Sequence, residues 1–370
     1  MALDLHTDHV GSLLRPAELL DARDAHTAGR LDAPALKAAE DKAILDVLEL
    51  QRQSGIGIYT DGEFRRMTWM SGMAQVMEGV VDMDSHHFKA NSWKGVGAEV
   101  ANEEVPMPRM AATGPIHLKA RFTGTETAFL KAHSPGPWKI TMPSPTIQIG
   151  MFDLEASRSA YPTAPELLAA IVKVYQHEVD AQIEDGASYV QLDSLRYAQV
   201  IGGFTPMGED LSNADAVVGE TIAADNAVLS RAKAKGVTRG VHICRGNHRS
   251  AWVMSGGYDA VAERLLNEVD TDRFLLEYDD DRSGSFEPLR FTPKGKTVVL
   301  GLVSSKLGAL EDPDELRRRV DEAAKFVPLE QLALSPQCGF ASTFRGNLLS
   351  QDDEKRKLEL VADTARKIWG

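Results

Sequence analysis

Short apolar, β-branched runs alternate along this chain with longer stretches whose apolar residues recur three and four positions apart. The short runs predict strands at 7–12, 57–61, 138–146, 189–193, 240–244, 274–277, 297–303 and 331–335. The longer stretches predict helices. Residues 36–53 carry helical spacing and stop before Gly55, and Thr163-Ala164-Pro165-Glu166 reads as a capping box opening a helix that ends at Gly186. Residues 215–235 are Ala-rich and close at Gly236. Asp312-Pro313 repeats the capped start with proline at the first helical position, and 351–369 form a last helix.

Eight strands alternating with helices predict a parallel sheet, and their number predicts an α/β chain built as one (β/α)8 TIM barrel over 1–370. Residues 80–137 break the rhythm, with Pro106, Pro108, Gly114, Pro115, Pro135 and Gly136 punctuating polar text. They are expected to form an insertion between the second and third strands, near the barrel mouth.

The expected strands end in residues with chemistry: Ser12, Asp61 and Glu63, Asp193, His242 and Cys244, Glu277, Ser304 and Lys306, and Cys338. In a barrel of this kind the carboxyl ends of the strands converge on the active site. His242 and Cys244 are two apart, so on a strand both leave the same face. Cys244 and Cys338 are the chain's only cysteines. An imidazole and two thiolates are the ligand types Zn2+ prefers. Glu277 closes the apolar run Phe274-Leu275-Leu276, where a buried charge needs a partner; a fourth place on the metal or an arginine ion pair would serve. Asp193 and Glu63 could equally be capping or ion-paired groups, and Ser12 could cap a turn.

Composition narrows the field. A mass of 40.4 kDa with 43% hydrophobic residues is ample for a core. The net charge of −13, with no compensating basic stripe, argues against nucleic acid as a partner. No stretch approaches the ~18 uninterrupted apolar residues of a membrane span, and the first eight residues do not read as a secretory leader. A cytoplasmic protein with free or metal-bound thiols is expected. Gly95-Val96-Gly97 lacks the third glycine of a dinucleotide loop, and no phosphate-cradling loop or nucleophile elbow is present.

Four segments together resemble the cobalamin-independent methionine synthase family, in particular its short single-barrel members. They are Asp8-His9-Val10-Gly11-Ser12-Leu13-Leu14-Arg15-Pro16, Thr60-Asp61-Gly62-Glu63-Phe64-Arg65-Arg66, His242-Ile243-Cys244-Arg245-Gly246-Asn247 and Ser335-Pro336-Gln337-Cys338-Gly339-Phe340. The resemblance implies a barrel whose zinc activates the thiol of homocysteine for attack on a methyl group. It places His242, Cys244, Glu277 and Cys338 on the metal, and Ser12, Glu63 and Asp193 around the amino-acid end of the substrate. Two departures stand out. Val303-Ser304-Ser305-Lys306 occupies the place of a histidine thought to donate a proton, and Ser194 follows Asp193 where a second acid is usual.

The expected reaction is therefore zinc-dependent methylation of a thiol, with Asp193 and Lys306 as catalytic groups. The donor would be a methylfolate, a methyl-corrinoid carried by another protein, or another activated methyl compound; Trp69 and Trp138 are expected either to stack on a flat donor or to pack in the core. Three competing readings have distinct signatures. Alkyl transfer to a sulfonate thiol, as in epoxyalkane:coenzyme M transferase, needs Arg65, Arg66 or Arg245 facing the metal. Decarboxylation of the uroporphyrinogen type does not require these ligands. A structural zinc predicts four protein ligands with no adjacent pocket.

Overall fold

The computed structural model describes residues 5–370 except 71, 88–91, 103–105 and 205–209, and only the backbone of 73, 74, 85–87 and 106–108. Six strands form one parallel sheet in sequence order: β3 (Lys139–Pro143), β4 (Tyr189–Ser194), β5 (Thr238–Ile243), β6 (Arg273–Glu277), β7 (Thr297–Val303) and β8 (Leu332–Pro336). All but Thr297 are buried along their length, which is why these strands read as continuous apolar runs rather than alternating ones. Each ladder is parallel, so all six strands deliver their carboxyl ends to the same side.

The intervening helices follow their local signals. Helix Ala33–Ser54 starts at Asp32, whose side chain accepts from Ala35 N, and stops at Gly55 with φ 79°. Helix Ala164–Asp185 has the full Thr163/Glu166 capping box and ends at Gly186 with φ 102°. Its buried Leu167, Ile171, Val174 and Val179 recur at helical spacing, each contributing about 1.5–3 kcal/mol of burial. Helices Ala214–Lys233, Pro313–Ala323 and Gln351–Trp369 complete the expected set.

The two N-terminal strands expected at 7–12 and 57–61 are not ladder strands. Each touches the sheet through one parallel bridge, Thr7 with Leu334 beside β8 and Tyr59 with Trp138 beside β3. Side chains take the place of the missing ladder. Thr60 Oγ1 donates to Gly11 O at 2.7 Å, Gly57 N donates to Thr7 Oγ1 at 3.4 Å, and His9 Nε2 lies 3.2 Å from Ile58 O. Mixed α/β architecture with a parallel sheet is thus established.

The break in rhythm is an antiparallel hairpin, β1 (Met77–His87) and β2 (Pro106–Leu118), followed by helix Gly124–His133. Its start precedes the expected boundary by three residues, since β1 opens at Met77 rather than Val80. Lys94 and Trp252 exchange backbone hydrogen bonds of 2.8 and 2.9 Å, tying the segment after β1 to the one after β5. Among the described residues, no helix is long and apolar enough to cross a membrane.

Candidate metal centre and substrate cleft

Three strand ends bring four side chains together. His242 stands on β5, Cys244 one residue beyond it, Glu277 at the end of β6, and Cys338 two residues after β8. All four are buried, and one ligand atom from each falls within 4.8 Å of every other. The cluster can hold a metal ion.

The donors fit such an ion individually. His242 Nδ1 lies 3.1 Å from the Leu275 carbonyl, which fixes the ring proton on Nδ1 and leaves a lone pair on Nε2. That Nε2 is buried and has no partner of its own. An orphaned buried acceptor beside two sulfurs is what a metal site looks like before its ion is counted. The two cysteines are free, with Sγ atoms 3.4 Å apart. The Cys244 thiol beside it holds Cys338 well below the ordinary thiol range, and the same contact, with burial, pushes Cys244 up.

Glu277, read in sequence as either a ligand or an ion-pair partner, is placed to be both. Arg245 N donates to its Oε1 at 3.1 Å, and Arg282 Nη2 lies 3.4 Å from Oε2. Gln337, beside Cys338, completes the cradle. Its amide nitrogen faces Glu277, at 2.9 Å from Oε2 and 3.2 Å from Oε1, and its oxygen takes Ser305 Oγ at 2.9 Å and Lys306 Nζ at 2.6 Å. The reverse orientation would set oxygen against oxygen at Glu277. Lys306 is buried and does not line the cleft; its ammonium meets the Gln337 oxygen, and its charge also acts on Cys244 and Cys338. Replacing Gln337 by methionine removes both of its bonds to Glu277. Metal affinity is expected to fall about 10–100-fold, read by chelator competition, with the fold intact.

A cleft of about 210 Å³ reaches the cluster, and Ser12, Glu63, Asp193, His242, Cys244 and Cys338 all line it. The open approach contradicts a purely structural metal, which predicted no adjacent pocket. Glu63 sits in left-handed backbone at φ 60°, directly after Gly62 at φ 68°. This unusual turn carries its carboxylate into the cleft. Thr141 Oγ1 donates to its Oε1 at 2.6 Å, while Oε2 is buried without a partner. Burial raises Glu63 above the usual carboxylate range. Asp193, at the end of β4, is pushed up to about 7 by burial, against the pull of His242 and with Glu63 adding. Gln191 Nε2 holds its Oδ1 at 2.7 Å. Ser12 meets the Cys338 loop directly: a Cβ at Gly339 would stand 1.9 Å from Ser12 Oγ, so only glycine allows this approach.

The tryptophans divide. Trp69 lines the cleft, but Trp138 is buried in the core and offers no face to a ligand. Trp93, carried by the segment after the hairpin's first strand, lines it instead. Gln337, Thr141, Gln191 and Trp93 were not singled out from sequence. A signal did exist for two of them: Lys139-x-Thr141 and Gln191-x-Asp193 set polar side chains two apart on otherwise apolar strands.

Comparison with known proteins agrees with the geometry. The profile described as cobalamin-independent synthase, catalytic domain, matches residues 5–351. A Bacillus subtilis protein known only as the uncharacterized protein YxjH is 37% identical over 371 residues, covering 98% of this chain and 94% of its own. A putative vitamin-B12 independent methionine synthase from Listeria monocytogenes superposes with a TM-score of 0.76 at 27% identity, covering 100% of this chain and 99% of its own. A B12-independent methionine synthase from Shewanella sp. W3-18-1, solved in complex with selenomethionine, shares the fold at a TM-score of 0.75 and 19% identity, covering 99% and 98%. With these matches running the length of the fold and its cleft, the chain belongs to the cobalamin-independent methionine synthase family and is an enzyme of the methyltransferase type.

Proposed function

We propose that this protein transfers a methyl group to the thiol of homocysteine, on a closed (β/α)8 barrel spanning the chain as one catalytic domain, with Zn2+ held by His242, Cys244, Glu277 and Cys338. The observation that carries the reading is the unpartnered His242 Nε2 facing two sulfurs at the foot of an open cleft. The donor set of one nitrogen, two sulfurs and one carboxylate suits zinc better than harder cations. Two sulfurs bound tetrahedrally at ~2.3 Å stand about 3.8 Å apart, close to the 3.4 Å separation here. When bound, zinc supplies a lowered thiol pKa, making thiolate available near neutral pH.

The chain's own residues bind and orient the substrate. Glu63 and Asp193 present carboxylate oxygens to an α-ammonium, and Ser12 with the neighbouring backbone N–H groups takes the α-carboxylate. The apolar walls, with Trp69 and Trp93, exclude water and give a flat donor a surface. The new S–CH3 bond forms as the bond from methyl to donor breaks; the pair of that bond leaves with the donor, and the proton given up by the thiol passes to the departing donor or to solvent. Selenomethionine in the Shewanella relative is the selenium counterpart of the expected product. Two free thiols fit the cytoplasm.

A sulfonate thiol is disfavoured because the arginines it would need are committed elsewhere. Arg65 pairs with Glu40 and Asp41, Arg66 with Glu126, and the Arg245 guanidinium turns to Gly256 O and the Tyr258 ring. The test is a thiol screen with the zinc-loaded protein against methylfolate and free or protein-bound methylcobalamin. Methionine formed from homocysteine with any of these donors is the expected result. Turnover of a sulfonate thiol with no turnover of homocysteine would replace the reading.

A further inference from the structure

Both cleft acids are tied to a buried cation, yet neither makes its hydrogen bond to that cation. Thr141 on β3 and Gln191 opposite it on β4 stand between them. Arg66 Nη1 donates to Thr141 Oγ1 at 3.2 Å, so the single hydroxyl hydrogen is left for Glu63 Oε1 at 2.6 Å. The direct distance from Arg66 Nη1 to Glu63 Oε1 is longer, at 3.7 Å. On the other strand, Lys139 Nζ donates to Gln191 Oε1 at 2.7 Å, which fixes the amide orientation. The two hydrogens on Gln191 Nε2 then go to Val10 O and Asp193 Oδ1, each at 2.7 Å.

This arrangement has a chemical consequence. An arginine or lysine bonded straight to the acids would neutralise them and compete with any incoming cation. A neutral relay fixes one oxygen of each acid and transmits part of the stabilisation from Arg66 and Lys139. The other oxygen stays free; Glu63 Oε2 is buried with nothing to accept from. A buried acceptor without a donor is costly unless a ligand supplies one. A ligand ammonium supplies up to three hydrogens.

We infer that Thr141 and Gln191 are positioning residues that set the cleft's preference for a thiol bearing an ammonium group. The inference rests on the proposed amino-acid thiol substrate and adds the residues that enforce it. The test needs no methyl donor. Dissociation constants of homocysteine and of 4-sulfanylbutanoate, its analogue without the amine, are measured by calorimetry on the zinc-loaded wild type, Thr141→Val, Thr141→Ser and Gln191→Met, with zinc content measured in parallel. Wild type is expected to prefer homocysteine. Thr141→Val and Gln191→Met each lose about tenfold of that preference, with zinc retained and analogue affinity within about twofold; Thr141→Ser keeps the wild-type ratio. Unchanged ratios in both variants, or equal losses for both thiols, overturn the inference and leave the substrate reading standing. A wild type that does not distinguish the two thiols overturns the substrate reading itself, and the inference with it.

Discussion

Cys338→Ser is expected to emerge from purification without metal, whereas the wild type carries one zinc per chain. A serine hydroxyl is not ionised near neutral pH and is a harder donor than a thiolate, so the ion loses one of its two sulfurs outright. Four-ligand zinc sites bind with about 10–16 kcal/mol in total. One ligand's share is about 3 kcal/mol, more than a hundredfold in affinity. Thiol methylation is expected to fall with it below detection. The substitution lies in a loop beyond β8, and its neighbours Gly339 and Phe340 are untouched, so the circular dichroism spectrum should match wild type. Anaerobic metal analysis decides the matter. If Cys338→Ser and Cys244→Ser both retain stoichiometric zinc, these residues are not its ligands.

The four residues of the cluster were legible because each carried a local signal that survives ignorance of the fold. His242 and Cys244 share a strand face by period two, Glu277 ends an apolar run that cannot bury a lone charge, and Cys338 is the second of two cysteines. Helix ends were equally readable, since Thr163 with Glu166, and Asp312 with Pro313, encode their caps locally. What failed depends on long-range pairing. Residues 7–12 have strand-like composition but satisfy much of their backbone through side chains such as Thr60, Lys139 and Gln191, which no run of apolar residues announces. Trp69 and Trp138 are alike in sequence, and only the packed core separates a cleft wall from a buried ring. Lys306 was read from its place at a strand end as a proton donor or a surface lysine; its burial, and the Gln337 amide between it and Glu277, are not written in the local sequence. The relays at Thr141 and Gln191 were hidden for a similar reason, because their partners Arg66 and Lys139 belong to other segments.

Asp8→Ala is the most damaging change expected outside the cleft. Asp8 is fully buried and is the anion shared by Lys139 Nζ at 2.7 Å and Arg273 Nε at 3.2 Å, with Tyr189 OH at 3.3 Å. Removing it leaves two buried cations facing each other with less compensation, a loss of about 3–5 kcal/mol. The urea midpoint should fall accordingly, and the melting temperature on the order of 5–10 °C. A double variant, Asp8→Ala with Lys139→Met, should recover part of the loss, because one stranded charge goes with the lysine. The pH dependence has a definite sign. Burial raises the Asp8 carboxyl, but Lys139 and Arg273 outweigh it and hold the group below its ordinary value. A depressed native pKa gives stability that is complete above the unfolded value of about 4 and is lost as pH falls through the native one. Asp8→Asn should therefore be less stable than wild type at neutral pH, and the gap should narrow in acid. A urea-midpoint difference that stays constant from pH 7 to pH 3, or a loss under about 1 kcal/mol for Asp8→Ala, would mean that Lys139 and Arg273 find compensation elsewhere.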